Sequence, residues 1–143
     1  MKSTRLIIDF EYDFHLIGVI SSAKEYKLAW WINKLLQVQL VKIEDIFLEF
    51  TKEANMLHSC YLYESPYSQL RLIKNKSHEF TNIVRPFLLP EYKDYDYFVH
   101  ICGEGNIFDP SEILERLSEC PFVQYSKIIQ VTDIKTKDNL IFN

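Results

Sequence analysis

YDYFVHICGEGNIFDPSEILERLSECP, residues 95–121, is the stretch on which the reading of this chain turns. Tyr95 to Cys102 is a compact apolar run, the mark of a buried strand. Gly103-Glu104-Gly105-Asn106 breaks it. Asp109-Pro110-Ser111-Glu112 then opens a helix, with a capping box and a proline at the first helical position. Ile113, Leu114, Leu117 and Cys120 fall on one stripe of that helix, so one side is buried. Pro121 stops it, and Phe122 to Val131 alternates as a strand does. Strand, helix and strand in this order make a βαβ unit. Its two strands are parallel if they are neighbours; if another strand lies between them, the unit is split.

Working upstream, Arg5 to Phe10 reads as a short strand. Phe14 to Ser21 (FHLIGVIS) is apolar on both faces, which places it inside a sheet. Ser22 and Glu25 have the spacing of a capping box for a helix over Ala23 to Gln37. Leu40 to Phe50 reads as one bent strand or two short ones. Leu57 to Tyr63 and Gln69 to Lys74 flank a turn at Glu64–Ser68 and form a hairpin. Asn75 to His78 reads as a polar turn, Pro90 to Asp94 as a loop and Asp133 to Asp138 as a charged turn. Thr81 to Leu89 is a further strand that Pro86 confines to an edge. The predicted class is α+β: a mostly antiparallel or mixed sheet with two helices packed on it, the βαβ unit near the C-terminus, in one domain over residues 1–143.

Composition narrows the chemistry. A chain of 143 residues, 48% of them hydrophobic, builds a core without staples. Cys60, Cys102 and Cys120 lack the paired spacing of a disulfide framework or a zinc site, so reduced thiols are expected. No run of 18 apolar residues spans a membrane. Asp9, Glu11 and Asp13 interrupt the opening before any signal-peptide core, which predicts a cytoplasmic protein. The formal charge is −4 and the 16 basic residues are scattered, so nucleic acid is the least favoured partner.

The first helix carries two apolar lines. Leu28, Ile32, Leu35 and Leu36 face the sheet. Tyr26, Trp30, Asn33 and Gln37 run along a second line. Tyr26 and Trp30 are either extra core beneath a loop or the N-terminal strand, as most large aromatics are, or anchors facing a protein partner. Asp96 and His100 project from one side of their strand, but about 13 Å apart and with no nucleophile in an elbow near them. His100 is expected as a hydrogen-bonded core histidine. With Glu104, these two make a candidate ligand-binding set around the Gly103–Asn106 loop.

Gly103 and Gly105 lack the third glycine of a dinucleotide fingerprint, where Phe108 stands, and the Gly-Lys-Ser/Thr of a P-loop. Asp9, Glu11 and Asp13 alternate as a solvated strand face, and His15, His58 and His78 have no ligand spacing. No metal and no cofactor is predicted. Tyr61, Tyr63 and Tyr67 fit cross-strand pairing in a hairpin.

Leu89-Pro90-Glu91 followed by Tyr95-Asp96-Tyr97 resembles the signature of the bacterial IPExxVDY family. Asp9-Phe10-x-x-Asp13-Phe14-x-Leu16-Ile17-Gly18, then Glu25-Tyr26-Lys27-Leu28-Ala29-Trp30 and Asn33, are similar to that family too, so the likeness covers most of the chain. Leu89 stands for Ile, Tyr95 for Val, and the spacer is one residue longer. The resemblance implies a small cytoplasmic bacterial protein and brings no enzymatic role.

The expectation is therefore a non-catalytic cytoplasmic protein acting through protein contacts at Tyr26, Trp30 and Asn33, with Glu91 and Asp96 as a polar adjunct. A small-ligand binder or weak enzyme using Asp96, His100 and Glu104 is the alternative. Homo-oligomerisation is left open.

Overall fold

The structure, a computed structural model, describes residues 13–49, 55–78, 86–103 and 108–142. Six strands form one sheet: β1 (His15–Ser21), β2 (Val41–Glu49), β3 (Asn55–Glu64), β4 (Ser68–Lys74), β5 (Tyr97–Gly103) and β6 (Val123–Ile129). Their order is β2-β3-β4-β5-β1-β6, and every neighbouring pair is antiparallel. Two helices, α1 (Glu25–Leu36) and α2 (Pro110–Leu117), complete the α+β architecture. The doubly apolar run at Phe14–Ser21 is an interior strand, flanked by β5 and β6. Because β1 is antiparallel to both, β5 and β6 are parallel to each other with β1 between them. The C-terminal βαβ unit is thus the split kind.

Strand alternation sends successive side chains to two different cores. Ile17, Val19, Leu70, Leu72, Tyr97 and Val99 point to the helix layer, where Leu28 and Ile32 of α1 and Ile113 and Leu117 of α2 cover them. Leu16, Cys60, Ile73, Phe98 and Ile129 point to the back face. No regular helix covers that face among the described residues. Leu88 and Leu89, the 3₁₀ turn Pro90–Tyr92, and a C-terminal tail with 3₁₀ turns at Val131–Asp133 and Lys137–Leu140 lie across it. Tyr95 also packs there beside Phe98. Gly18 lets it approach: a Cβ on Gly18 would lie 2.6 Å from the Tyr95 ring.

β2 is one strand with a register shift between Ile43 and Ile46, the first of the two forms expected for Leu40–Phe50. Other local expectations need correction. The helix does not start at a Ser22 box. Lys24 is the N-cap and makes no side-chain cap bond. The Glu25 carboxylate instead meets the Ser59 hydroxyl at 3.4 Å and the Lys74 ammonium at 3.7 Å. Asp109 does cap α2, accepting from the Ser111 amide at 3.0 Å. The expected strand over Thr81–Leu89 lies partly outside the described residues, and its described end makes a single bridge, Phe87 to Lys76. Arg5–Phe10, Glu104 and the rest of the Gly105–Ile107 loop also lie outside them. Gly103, with φ of +122°, fits there because it has no Cβ: one would strike the Tyr67 carbonyl oxygen.

Candidate functional site

α1 buries Leu28, Ala29 and Ile32 against the sheet. Tyr26 and Trp30 lie off that stripe and are 64% and 56% exposed. The reading of these two as extra core is therefore overturned. Leu35, placed by periodicity on the sheet-facing line, is only half-buried and lines a groove between α1 and α2. The groove encloses about 640 Å³, with Trp31 and Lys34 on the α1 side and Phe108, Glu112 and Arg116 on the α2 side.

Trp30 connects to this groove. Its ring centroid lies 6.1 Å from that of Trp31, which meets Phe122 edge-on at 5.5 Å. The Lys34 ammonium sits 5.2 Å from the Trp30 ring centroid and that of Lys27 sits 4.3 Å from Phe122. Three aromatic rings and two cations thus run along one side of the helix layer. The sequence reading missed Trp31 and Phe108. The adjacent Trp30-Trp31 pair was the available signal, because neighbouring helix positions are 100° apart and two rings this large point in different directions, one of them toward the edge of the buried stripe.

The other three expected contact residues use their polar groups within the chain. Asn33 takes the Leu40 amide on its Oδ1 at 2.8 Å and donates Nδ2 to the Leu40 carbonyl at 3.4 Å, which fixes the turn from α1 into β2. The Glu91 carboxylate accepts from the Lys135 and Thr136 amides at 2.7 and 2.8 Å and from the Thr136 hydroxyl. Burial works to raise its pKa, but these donors outweigh it and hold the carboxyl below its ordinary value. The Asp96 carboxylate accepts from the Ser21 amide at 2.8 Å, and the Tyr97 hydroxyl donates to the Ala23 carbonyl at 2.5 Å. The Leu89–Tyr97 stretch therefore ties down the C-terminal tail with Glu91 and the β1–α1 turn with Asp96 and Tyr97.

Of the Asp96–His100–Glu104 set, Glu104 lies outside the described residues, and Asp96 and His100 do not come together. Asp96 is exposed at the start of β5 and engaged with Ser21, while His100 is buried in the back face, 2% exposed. Nor is His100 a satisfied core histidine. Neither ring nitrogen has a hydrogen-bond partner among the described residues. Its ring lies between Phe14, at 4.7 Å between centroids, and Phe142, at 5.0 Å. Burial first, and Arg71 second, push its pKa down to about 3, so the imidazole is neutral.

Elsewhere, His78 Nε2 and Lys42 Nζ both contact the Asp45 carboxylate, at 2.5 and 2.6 Å. The pair sits at the surface with no nucleophile bonded to it among the described residues. No three His, Cys, Asp or Glu side chains gather where they could hold a metal ion among the described residues. Nor is any helix there long and apolar enough to cross a membrane. No family model matches the chain, and no curated protein matches it.

Proposed function

We propose that this protein is a non-catalytic binding module that acts through protein–protein contact at its helix layer. The observation that carries this reading is the exposure of Tyr26 and Trp30 on a helix that buries Leu28, Ala29 and Ile32 on its other side. Tryptophan and tyrosine are the side chains that most often anchor interfaces, and a contiguous exposed aromatic surface is a place where a partner gains by covering it. Trp30 does not stand singly: Trp31, Phe122 and the groove beside Leu35 continue its surface. The contact set narrows to Tyr26 and Trp30, with Asn33, Glu91 and Asp96 acting as clasps that hold the backbone. In this reading the protein works in the cytoplasm, in keeping with three free cysteines, and belongs with the small bacterial proteins whose signature its Leu89–Tyr97 stretch resembles.

Affinity capture from the native cell, comparing the wild-type chain with Trp30→Ala, tests it. Because Trp30 is exposed, the substitution should change unfolding stability by no more than about 0.5 kcal/mol. A specific partner should fall at least tenfold. An unchanged set of captured proteins, or no specific partner at all, defeats the reading.

A further inference from the structure

The back face carries a separate cavity, of about 210 Å³, walled by Asp13, Phe14, Arg71, His100, Cys102 and the tail residues Leu140–Phe142. Arg71 of β4 and His100 of β5 are direct partners in the strand register, so both project to this side. The Arg71 guanidinium stacks over Phe142, 4.5 Å from the ring centroid. No carboxylate among the described residues forms an ion pair with it within 4.0 Å. Beside it His100 presents two unpaired ring nitrogens, and buried polar groups without partners are rare enough to call for an occupant or a function. The Arg71 guanidinium also hydrogen-bonds the Cys102 thiol, and its remaining donors, the buried His100 ring and an apolar lining meet in this cavity.

We propose that this cavity binds a small monocarboxylate with a compact apolar body, its carboxylate held by Arg71 and its hydrocarbon part set against Phe14, Leu140 and Phe142. The guanidinium fork matches a carboxylate in shape and charge. Asp13 on the cavity wall repels a dianion twice as strongly as a monoanion, which favours a ligand with a single negative charge. Size limits it too: at about 30 Å³ per water-sized group, the space takes roughly seven such groups. The site lies on the face of the sheet opposite the helix layer, so it stands or falls independently of the protein-contact surface.

The test uses the full chain, labelled for NMR, titrated separately with butyrate, with 1-butanol as its neutral counterpart and with inorganic phosphate. Butyrate should bind saturably and shift the Arg71 Nε–H and His100 ring resonances. Arg71→Gln should weaken it at least tenfold, and Arg71→Lys less than Arg71→Gln. Butanol and phosphate should bind at least tenfold more weakly than butyrate. Absence of saturable butyrate binding, equal binding of butanol, or affinity unchanged in Arg71→Gln would each overturn the site. Phosphate binding as tight as butyrate would overturn the monocarboxylate assignment. Should Arg71→Gln not fold, the wild-type comparison of butyrate with butanol and the Arg71→Lys titration decide the matter.

Discussion

Asn75 shows how a polar residue in a strand-end turn can hold a whole layer. Its position reads as part of a polar surface turn, yet it is fully buried. Its Nδ2 donates to the Tyr92 and Tyr95 carbonyls at 3.0 and 2.8 Å, and its Oδ1 accepts from the Leu89 amide at 3.1 Å. Its backbone bonds Asp96 and Leu88 as well. Asn75 therefore satisfies the irregular backbone that crosses the back face, where no regular ladder does so. Asn75→Ala leaves the Tyr95 carbonyl and the Leu89 amide without a partner, while the Tyr92 carbonyl keeps the Tyr95 amide, and should lower unfolding stability by about 2–4 kcal/mol in urea titration. A loss below about 0.5 kcal/mol, the range of a neutral surface substitution, would show that water replaces the side chain there.

At the scale of elements, the start of α1 departs most plainly from its pattern. Ser22 and Glu25 have the residue types and spacing of a box, but the chain stays extended through Lys24, at φ −72° and ψ 155°. The reason is tertiary. Ser21 donates its hydroxyl to the Phe122 carbonyl at 2.7 Å and gives its amide to Asp96, while Tyr97 holds the Ala23 carbonyl. Those bonds set where the turn ends, and the helix begins one position after Lys24. The N-cap is thus occupied by a residue that cannot accept a bond from the first-turn amides. Lys24→Ser should raise stability by about 0.5–1 kcal/mol, with partner capture unchanged. A decrease in stability would mean that Lys24 serves another contact. α2, by contrast, starts where its Asp-Pro pair says it does, because Asp109 needs only the local Ser111 amide.

At the scale of the molecule, two buried imidazoles couple the fold to pH. His58 donates Nδ1–H to the Lys74 carbonyl at 3.1 Å, is fully buried, and has its pKa pushed down to about 4, chiefly by burial. His100 lies at about 3 for the reasons given above. Both folded values lie below the ordinary 6.5, so the unfolded chain takes up protons first as pH falls. Stability is complete above about pH 6.5 and declines below it, with each histidine removing about 2 kcal/mol by pH 5. Urea midpoints measured from pH 8 to pH 5 should fall steeply below 6.5, and His100→Phe should flatten part of the decline. A flat profile over this range would show that the two histidines are not held neutral.

By itself the sequence determined the α+β class, the interior place of Phe14–Ser21, the β3–β4 hairpin and the start of α2; that helix ends at Leu117, short of Cys120 and the Pro121 stop that the pattern had set for it. The parts that hold follow from periodicity and capping chemistry, which act over a few residues. Tertiary structure alone decided that β1 splits the β5–α2–β6 unit, that Tyr26 and Trp30 stay uncovered, and that His100 faces Arg71 rather than Asp96. Strand order and cross-strand register depend on which apolar faces meet across long separations in the chain. No local pattern encodes that choice, and the candidate sites on both faces of the sheet are made by it.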